Sequence, residues 1–298
     1  MDNTIQKKQK RNIKIKQFLI AAAFVGPSVI AFFIFKYLTT FQSLFYSLFR
    51  YDYGNPPGVF IGLDNYIQTF KSALFWESVW NTIVLFFFSM IFAFWVPIAQ
   101  ALFLNEIPKG KGVFRYLYIL PAALPGVATL SVWSYIWDVN SGLANYLVQL
   151  LGFEPQKWLF DPKQVKICLR IGGLLGGGIG MLIYLVAIQG IDSQIYEAAR
   201  IDGASRICSM FRITIPNIMF IIKIQFLLNI CSSLLVFDDV YIMTKGGPGT
   251  SSTTVVMTIY DKAFSALNFG QAMAMSVIVT FFTLVFVILQ LRLSKAKD

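Results

Sequence analysis

Residues 197–216 read EAARIDGASRICSMFRITIP, a polar interval between two long apolar runs. Its charges are mixed in sign: Glu197, Arg200, Asp202, Arg206 and Arg212. Glu197 through Ile201 favours helix, and Asp192 or Ser193 stands just ahead as a candidate N-cap. Gly203 supplies a stop, because a helix ends most easily on a residue that tolerates the left-handed conformation. Ser205 can cap a second short helix, and Pro216 stands where the next apolar helix would begin, a place proline accepts. The stretch predicts a helix–turn–helix knob carried outside the bilayer and rigid enough to transmit force.

On either side of the knob, apolar runs of spanning length lie near 18–38, 78–104, 116–137, 167–189, 217–237 and 270–291. A helix needs about 20 residues to cross a ~30 Å hydrocarbon core, so the fold class expected is an all-α membrane protein with six transmembrane helices. Composition agrees: 56% of the 298 residues are hydrophobic and 13% charged, where a soluble domain carries roughly 25% charged residues. His is absent, which removes the commonest zinc ligand and acid–base side chain. Cys168, Cys208 and Cys231 show no paired spacing and are expected as free thiols.

The net charge is +10, but its distribution argues against nucleic acid. Residues 1–17 carry six basic side chains and one acid, Asp2. The apolar run that follows is too long for a signal-peptide core and lacks a convincing cleavage site, so a retained first span is expected. Threading six spans alternately puts 1–17, 105–115, 190–216 and 292–298 on one side, where 62 positions hold 15 of the 25 Lys and Arg residues. The opposite loops hold 7 in 100 positions. The positive-inside rule then places both termini and the knob in the cytoplasm. Three segments result: 1–17, a basic cytoplasmic N-terminal segment; 18–291, a six-helix transmembrane domain with the knob at about 193–216; and 292–298, a cytoplasmic tail. Trp76, Trp80, Trp133, Trp137 and Trp158 fall at or beyond the outer interface, as an aromatic belt would.

Inside the spans, Pro97, Pro121 and Pro125 imply kinked or broken helices. Gly172, Gly176 and Gly180 recur every four residues and leave one face of the fourth span bare, which lets helices approach closely. Gln225, Asn229, Ser232 and Ser233 share one stripe of the fifth span. They either line a hydrophilic path for substrate or bond to neighbouring helices. Lys36 and Arg170 lie near outer span ends and are expected to snorkel outward, and Lys223 to snorkel to the cytoplasmic end. None of the six cores holds Asp or Glu, which speaks against an ion-coupled secondary transporter. Without His or an acidic cluster in the spans there is no credible catalytic constellation, so the chain is not expected to be an enzyme and no metal site is expected.

The pattern E-A-A, three residues, Gly, nine residues, Ile, one residue, an aliphatic residue and Pro resembles the EAA loop of the membrane subunits of ATP-binding-cassette importers. The matching positions are Glu197, Ala198, Ala199, Gly203, Ile213 and Pro216, with Asp202 beside the glycine and Ile215 replacing the usual leucine. Ile191 is followed by Asp192, where the family carries proline. FDDVYIMTKGGPGTSSTTVV at 237–256 resembles the extracytoplasmic loop of carbohydrate-importer permeases, specifically the first of two paired subunits. IGLDNY at 61–66, Asn81–Thr82, the Arg115…Pro121…Trp133 pattern, WLFDP at 158–162 and FGQAMAMS at 269–276 fit the same subfamily. The resemblance runs from about 17 to 292. VPIAQALFLN at 96–105 departs from the family's Gly–Leu–Ala run, and the large extracytoplasmic insertion of the enteric maltose permease is missing.

This resemblance implies a type I importer permease fold forming half of a translocation pore in a bacterial cytoplasmic membrane. It implies a second homologous permease, two cytoplasmic ATPase subunits, an extracytoplasmic sugar-binding protein and a carbohydrate substrate. ATP and Mg would belong to the partner ATPase, since this chain has no GxxxxGK[ST] loop. It also implies that the knob is a coupling helix seated in a cleft of that ATPase. A permease for a non-sugar solute is the alternative within the family.

Overall fold

The computed structural model describes residues 2–51, 54, 58–107, 110–172 and 178–295, without the side chains of 2–15, 18, 111, 122 and 293–295. Gly176, most basic side chains of the N-terminal segment and the end of the C-terminal tail therefore lie outside the described residues.

Among the described residues, three helices are long and apolar enough to cross a membrane: Leu19–Tyr46, Ala73–Glu106 and Phe269–Arg292. Three bent pairs bring the number of spans to as many as six: Gly112–Pro121 with Gly126–Ile136, Gly178–Gln189 with Ser193–Ile201, and Arg206–Asn217 with Met219–Leu234. We number the six apolar regions as spans one to six. The only sheet among the described residues is a pairing of Phe49–Arg50 with Val59–Phe60, so the architecture is all-α.

Proline accounts for the break in span three and for the opening of span two. Span three breaks by 93° because Leu124, ahead of Pro125, takes φ −82° and ψ 148°; a proline ring drives the residue before it out of the helical region. In span two the helix opens into a π turn over Met90–Trp95, just before Pro97. Proline offers no N–H to the preceding turn and its ring crowds the carbonyl four residues back. The 66° bend after Gln189 separates an uncharged helix from one carrying Glu197 and Arg200. The 69° bend lies at Ile218, so span five proper starts at Met219, three residues past the proline expected to open it.

Span two is the spine. Phe75 belongs to a cluster with Val255, Met275 and Ile278. Leu85 packs with Trp137, Val165, Leu169 and Val240. Phe94, Ile98, Ala101 and Leu104 pack with Met181, Tyr184, Leu185, Ile188 and Ile218. In lipid these contacts gain little from leaving water, and close packing and hydrogen bonds carry the association. Hence the fit of small residues counts: a Cβ on Gly180 would stand 3.8 Å from Pro97 and one on Gly172 3.1 Å from Trp133. On that face of span four, Gly172 lies against Trp133 of span three and Gly180 against Pro97 of span two.

Candidate coupling knob and polar path

The knob folds as its residues dictate. Asp192 caps the helix Ser193–Ile201, its Oδ1 accepting the Gln194 N–H at 2.9 Å. At the far end Gly203 sits at φ +77°. Its N–H donates to the Arg200 carbonyl at 3.1 Å and the Ala204 N–H to the Ala199 carbonyl at 2.9 Å. These are the paired bonds of a Schellman ending, which satisfy carbonyls the helix leaves open. Ser205 then caps the return helix, its Oγ accepting the Cys208 N–H at 3.2 Å. One contact not foreseen from sequence closes the loop: Tyr196 Oη and the buried Thr214 Oγ1 lie 2.9 Å apart. A tyrosine 18 residues from a threonine carries no periodic signal, so only the folded turn brings them together.

Glu197, Ala198, Asp202 and Gly203 are exposed on the knob, with Ala199 half-buried. Ile195, Ile201 and Ile207 are exposed at 44%, 87% and 69%. Ile213 and Pro216 lie on the return segment, half-buried and exposed. A cleft of about 310 Å³ separates the knob from Leu102, Asn105 and Glu106 at the end of span two, with Arg200 and Arg206 on its wall. Asp192 has φ −60°, within the range proline imposes. The aspartate thus keeps the backbone a proline would give and adds a side-chain cap. Asp192→Pro should cost no more than a lost cap, about 1 kcal/mol, read as an unfolding midpoint close to that of the parent.

The polar stripe divides. Gln225, Asn229 and Ser232 line a cavity of about 400 Å³ with Phe94, Pro97, Gly180 and Tyr184. Ser233 turns inward: it is buried and its Oγ donates to Asn229 Oδ1 at 3.3 Å. Ser232 Oγ donates to the Asn229 carbonyl at 3.1 Å. Tyr184 Oη is buried without a partner beside this cavity, and nothing in its apolar surroundings marked it in the sequence.

At the opposite end of the bundle the 244–254 loop is clamped. Buried Asn81 donates through Nδ2 to the carbonyls of Thr250 and Thr253 at 2.9 and 3.0 Å. Thr82 Oγ1 accepts the Val255 N–H at 3.1 Å, and Thr250 Oγ1 donates to Glu77. Two expectations need correction. Arg170 does not snorkel: it is mostly buried and its Nη1 donates to Asp239 Oδ2 at 2.7 Å, because the segment after span five folds back over span four. Trp76 and Trp80 are exposed as belt residues should be, whereas Trp133, Trp137 and Trp158 form a column with ring centroids 6.2 and 5.0 Å apart. The three free cysteines, Cys168, Cys208 and Cys231, stand unpaired by disulfides.

The bundle thus carries a capped knob between its fourth and fifth spans, and a largely apolar cavity into which Gln225, Asn229 and Ser232 bring polar groups. The model of the family described as the binding-protein-dependent transport system inner membrane component matches residues 108–297, and the chain belongs to that family. It is 28% identical over 296 residues to the trehalose/maltose transport system permease protein of Thermococcus litoralis, covering 99% of both chains. It is 31% identical over 244 residues to the sulfoquinovosyl glycerol transport system permease protein of Agrobacterium fabrum, covering 81% of this chain and 79% of that one. Its fold matches a chain of the bacterial alginate ABC transporter crystallised with an alginate pentasaccharide-bound periplasmic protein, with TM-score 0.86 and 24% identity, covering 95% of this chain and 96% of that one.

Proposed function

We propose that this chain forms half of the translocation path of an ATP-driven carbohydrate importer and receives the power stroke through Glu197, Ala198, Ala199, Asp202, Gly203, Ile213 and Pro216. The observation that carries the reading is continuity: spans four and five bear the knob at one end and jointly wall the Gln225–Asn229–Ser232 cavity. A rigid turn joining two path-lining helices converts displacement of the knob into rearrangement of the path. The carbohydrate class is supported by the trehalose/maltose and sulfoquinovosyl glycerol relatives.

On this reading the knob faces the cytoplasm and seats in one of two ATPase subunits, which hold ATP and Mg. A second, homologous permease completes the pore, and a sugar-binding protein delivers substrate from outside. Alternating access requires ATP to favour one pore state over the other; equal affinity for both would shift nothing. Glu197 is placed for a charge-assisted bond to a basic group of the ATPase, and the small Ala198 surface permits close approach.

Asn229→Leu tests the path. It removes the amide from the cavity and deletes an acceptor for Ser233. Uptake by the reconstituted complex should fall about tenfold, equivalent to losing about 1.4 kcal/mol of transition-state stabilisation, with the complex still assembled. Loss of the assembled complex would mean that the stripe serves helix packing.

A further inference from the structure

The cleft between the knob and the end of span two is lined by charged side chains that lie outside the coupling set. Arg200 and Arg206 stand on the knob side and Glu106 on the span-two side of a space of about 310 Å³. That volume falls in the range of roughly 300–1,000 Å³ typical of small-molecule sites. All three side chains are exposed, and among the described residues none of them is in an ion pair.

The walls are held by hydrogen bonds. Tyr196 Oη and Thr214 Oγ1 both line the cleft and lie 2.9 Å apart, which ties the knob helix to the return segment. Between the two arginines the turn is set by the Gly203 N–H on the Arg200 carbonyl and by the Ser205 cap on the Cys208 N–H. Glu106 is the last residue of the helix that forms span two, so the cleft opens where hydrocarbon gives way to headgroups and water. Phe103 and Phe211, each next in sequence to a lining residue, are exposed and offer apolar surface beside the charges.

Two guanidiniums and one carboxylate at a span end match a ligand that carries a phosphate and an ammonium on one short headgroup. Guanidinium forks suit phosphate oxygens, and a carboxylate accepts charge-assisted bonds from an ammonium. Basic pockets between membrane helices at the cytoplasmic side bind lipid headgroups. A purely anionic headgroup would meet Glu106 with like charge.

We infer that this cleft binds an aminophospholipid of the cytoplasmic leaflet, its phosphate on Arg200 and Arg206 and its ammonium on Glu106. The bound headgroup ties the end of span two to both helices of the knob. Only the choice of leaflet rests on the cytoplasmic placement proposed above.

A photo-crosslinking residue in place of Ile207, which is exposed and lines the cleft, confines the readout to this site. The assembled transporter is illuminated in nanodiscs of phosphatidylcholine doped with phosphatidylethanolamine or phosphatidylglycerol, and lipid adducts are identified by mass spectrometry. The two leaflets of a nanodisc are alike, so the result does not depend on which way the knob faces. Phosphatidylethanolamine should be captured about fivefold more than its share of the lipid, as a charge-assisted bond to its ammonium implies. Glu106→Gln should erase that preference, and Arg200→Gln combined with Arg206→Gln should lower capture of every lipid. Excess inorganic phosphate should leave the adducts in place. Capture of all three lipids in proportion to their share, or a preference that survives Glu106→Gln, would overturn the site. Adducts displaced by inorganic phosphate would assign the cleft to a free anion, and adducts with the ATPase in place of lipid would assign it to protein docking; either result overturns the inference.

Discussion

Gly203→Val should lower coupled uptake about tenfold or more while the protein remains membrane-inserted and its partner permease stays bound. The cost is in the backbone alone. No atom lies within 4 Å of a Cβ built at position 203, yet φ there is +77°. A β-branched residue in that region pays about 1–2 kcal/mol, and strained conformations at such sites range over about 1–3 kcal/mol. The chain can avoid the strain by giving up the two Schellman bonds to Arg200 and Ala199. The helix Ser193–Ile201 would then lose its fixed angle to the return segment, and ATPase motion would be absorbed at the turn. Hydrolysis and uptake measured together should show hydrolysis continuing without proportionate transport, or weakened ATPase association. Gly203→Asn is the control, since Asn visits the left-handed region more readily; it should retain most of the uptake.

Asn81→Leu should have the second largest effect, at the other end of the molecule. The leucine is close in size but leaves the Thr250 and Thr253 carbonyls without their donor, one of them fully buried in its bond. Each orphaned group costs about 1–3 kcal/mol. Neighbouring bonds from Thr82, Glu77, Thr244 and Ser252 hold the same loop, so the segment should loosen without releasing the bundle. Lys245 is exposed on it, which gives a direct readout. Tryptic cleavage after Lys245 should accelerate about tenfold or more relative to the parent, as expected where local opening limits proteolysis. Unchanged cleavage would show that the clamp is redundant.

Much of this was legible in the sequence, for physical reasons that differ by element. The knob was read correctly because caps and glycine stops are local: Asp192, Gly203 and Ser205 each act on backbone within three or four residues. Spans were legible because spanning length and low charge are one-dimensional properties, and the proline breaks followed from covalent geometry. The expected proline-led start of span five was three residues early, since Ile218 packs into the core and takes the bend itself. Long-range pairings were not legible. Arg170 and Asp239 are 69 residues apart, and a charge near a span end gives the same sequence signal whether it snorkels or pairs. The polar stripe was foreseen as a set of four, but a helix of 3.6 residues per turn puts adjacent Ser232 and Ser233 on diverging directions. Only packing decides that one lines the cavity and the other the core.

If the knob meets the ATPase as proposed, a photo-crosslinking residue at position 201 will capture the contact. Ile201 is 87% exposed and lies at the end of the knob helix. Its replacement also avoids the thiol chemistry of neighbouring Cys208. In the assembled transporter illuminated with and without ATP, adducts should form with the ATPase subunit, and their yield should change with nucleotide. Adducts confined to the extracytoplasmic binding protein would contradict it. So would the absence of any ATPase adduct in a complex that still couples hydrolysis to uptake.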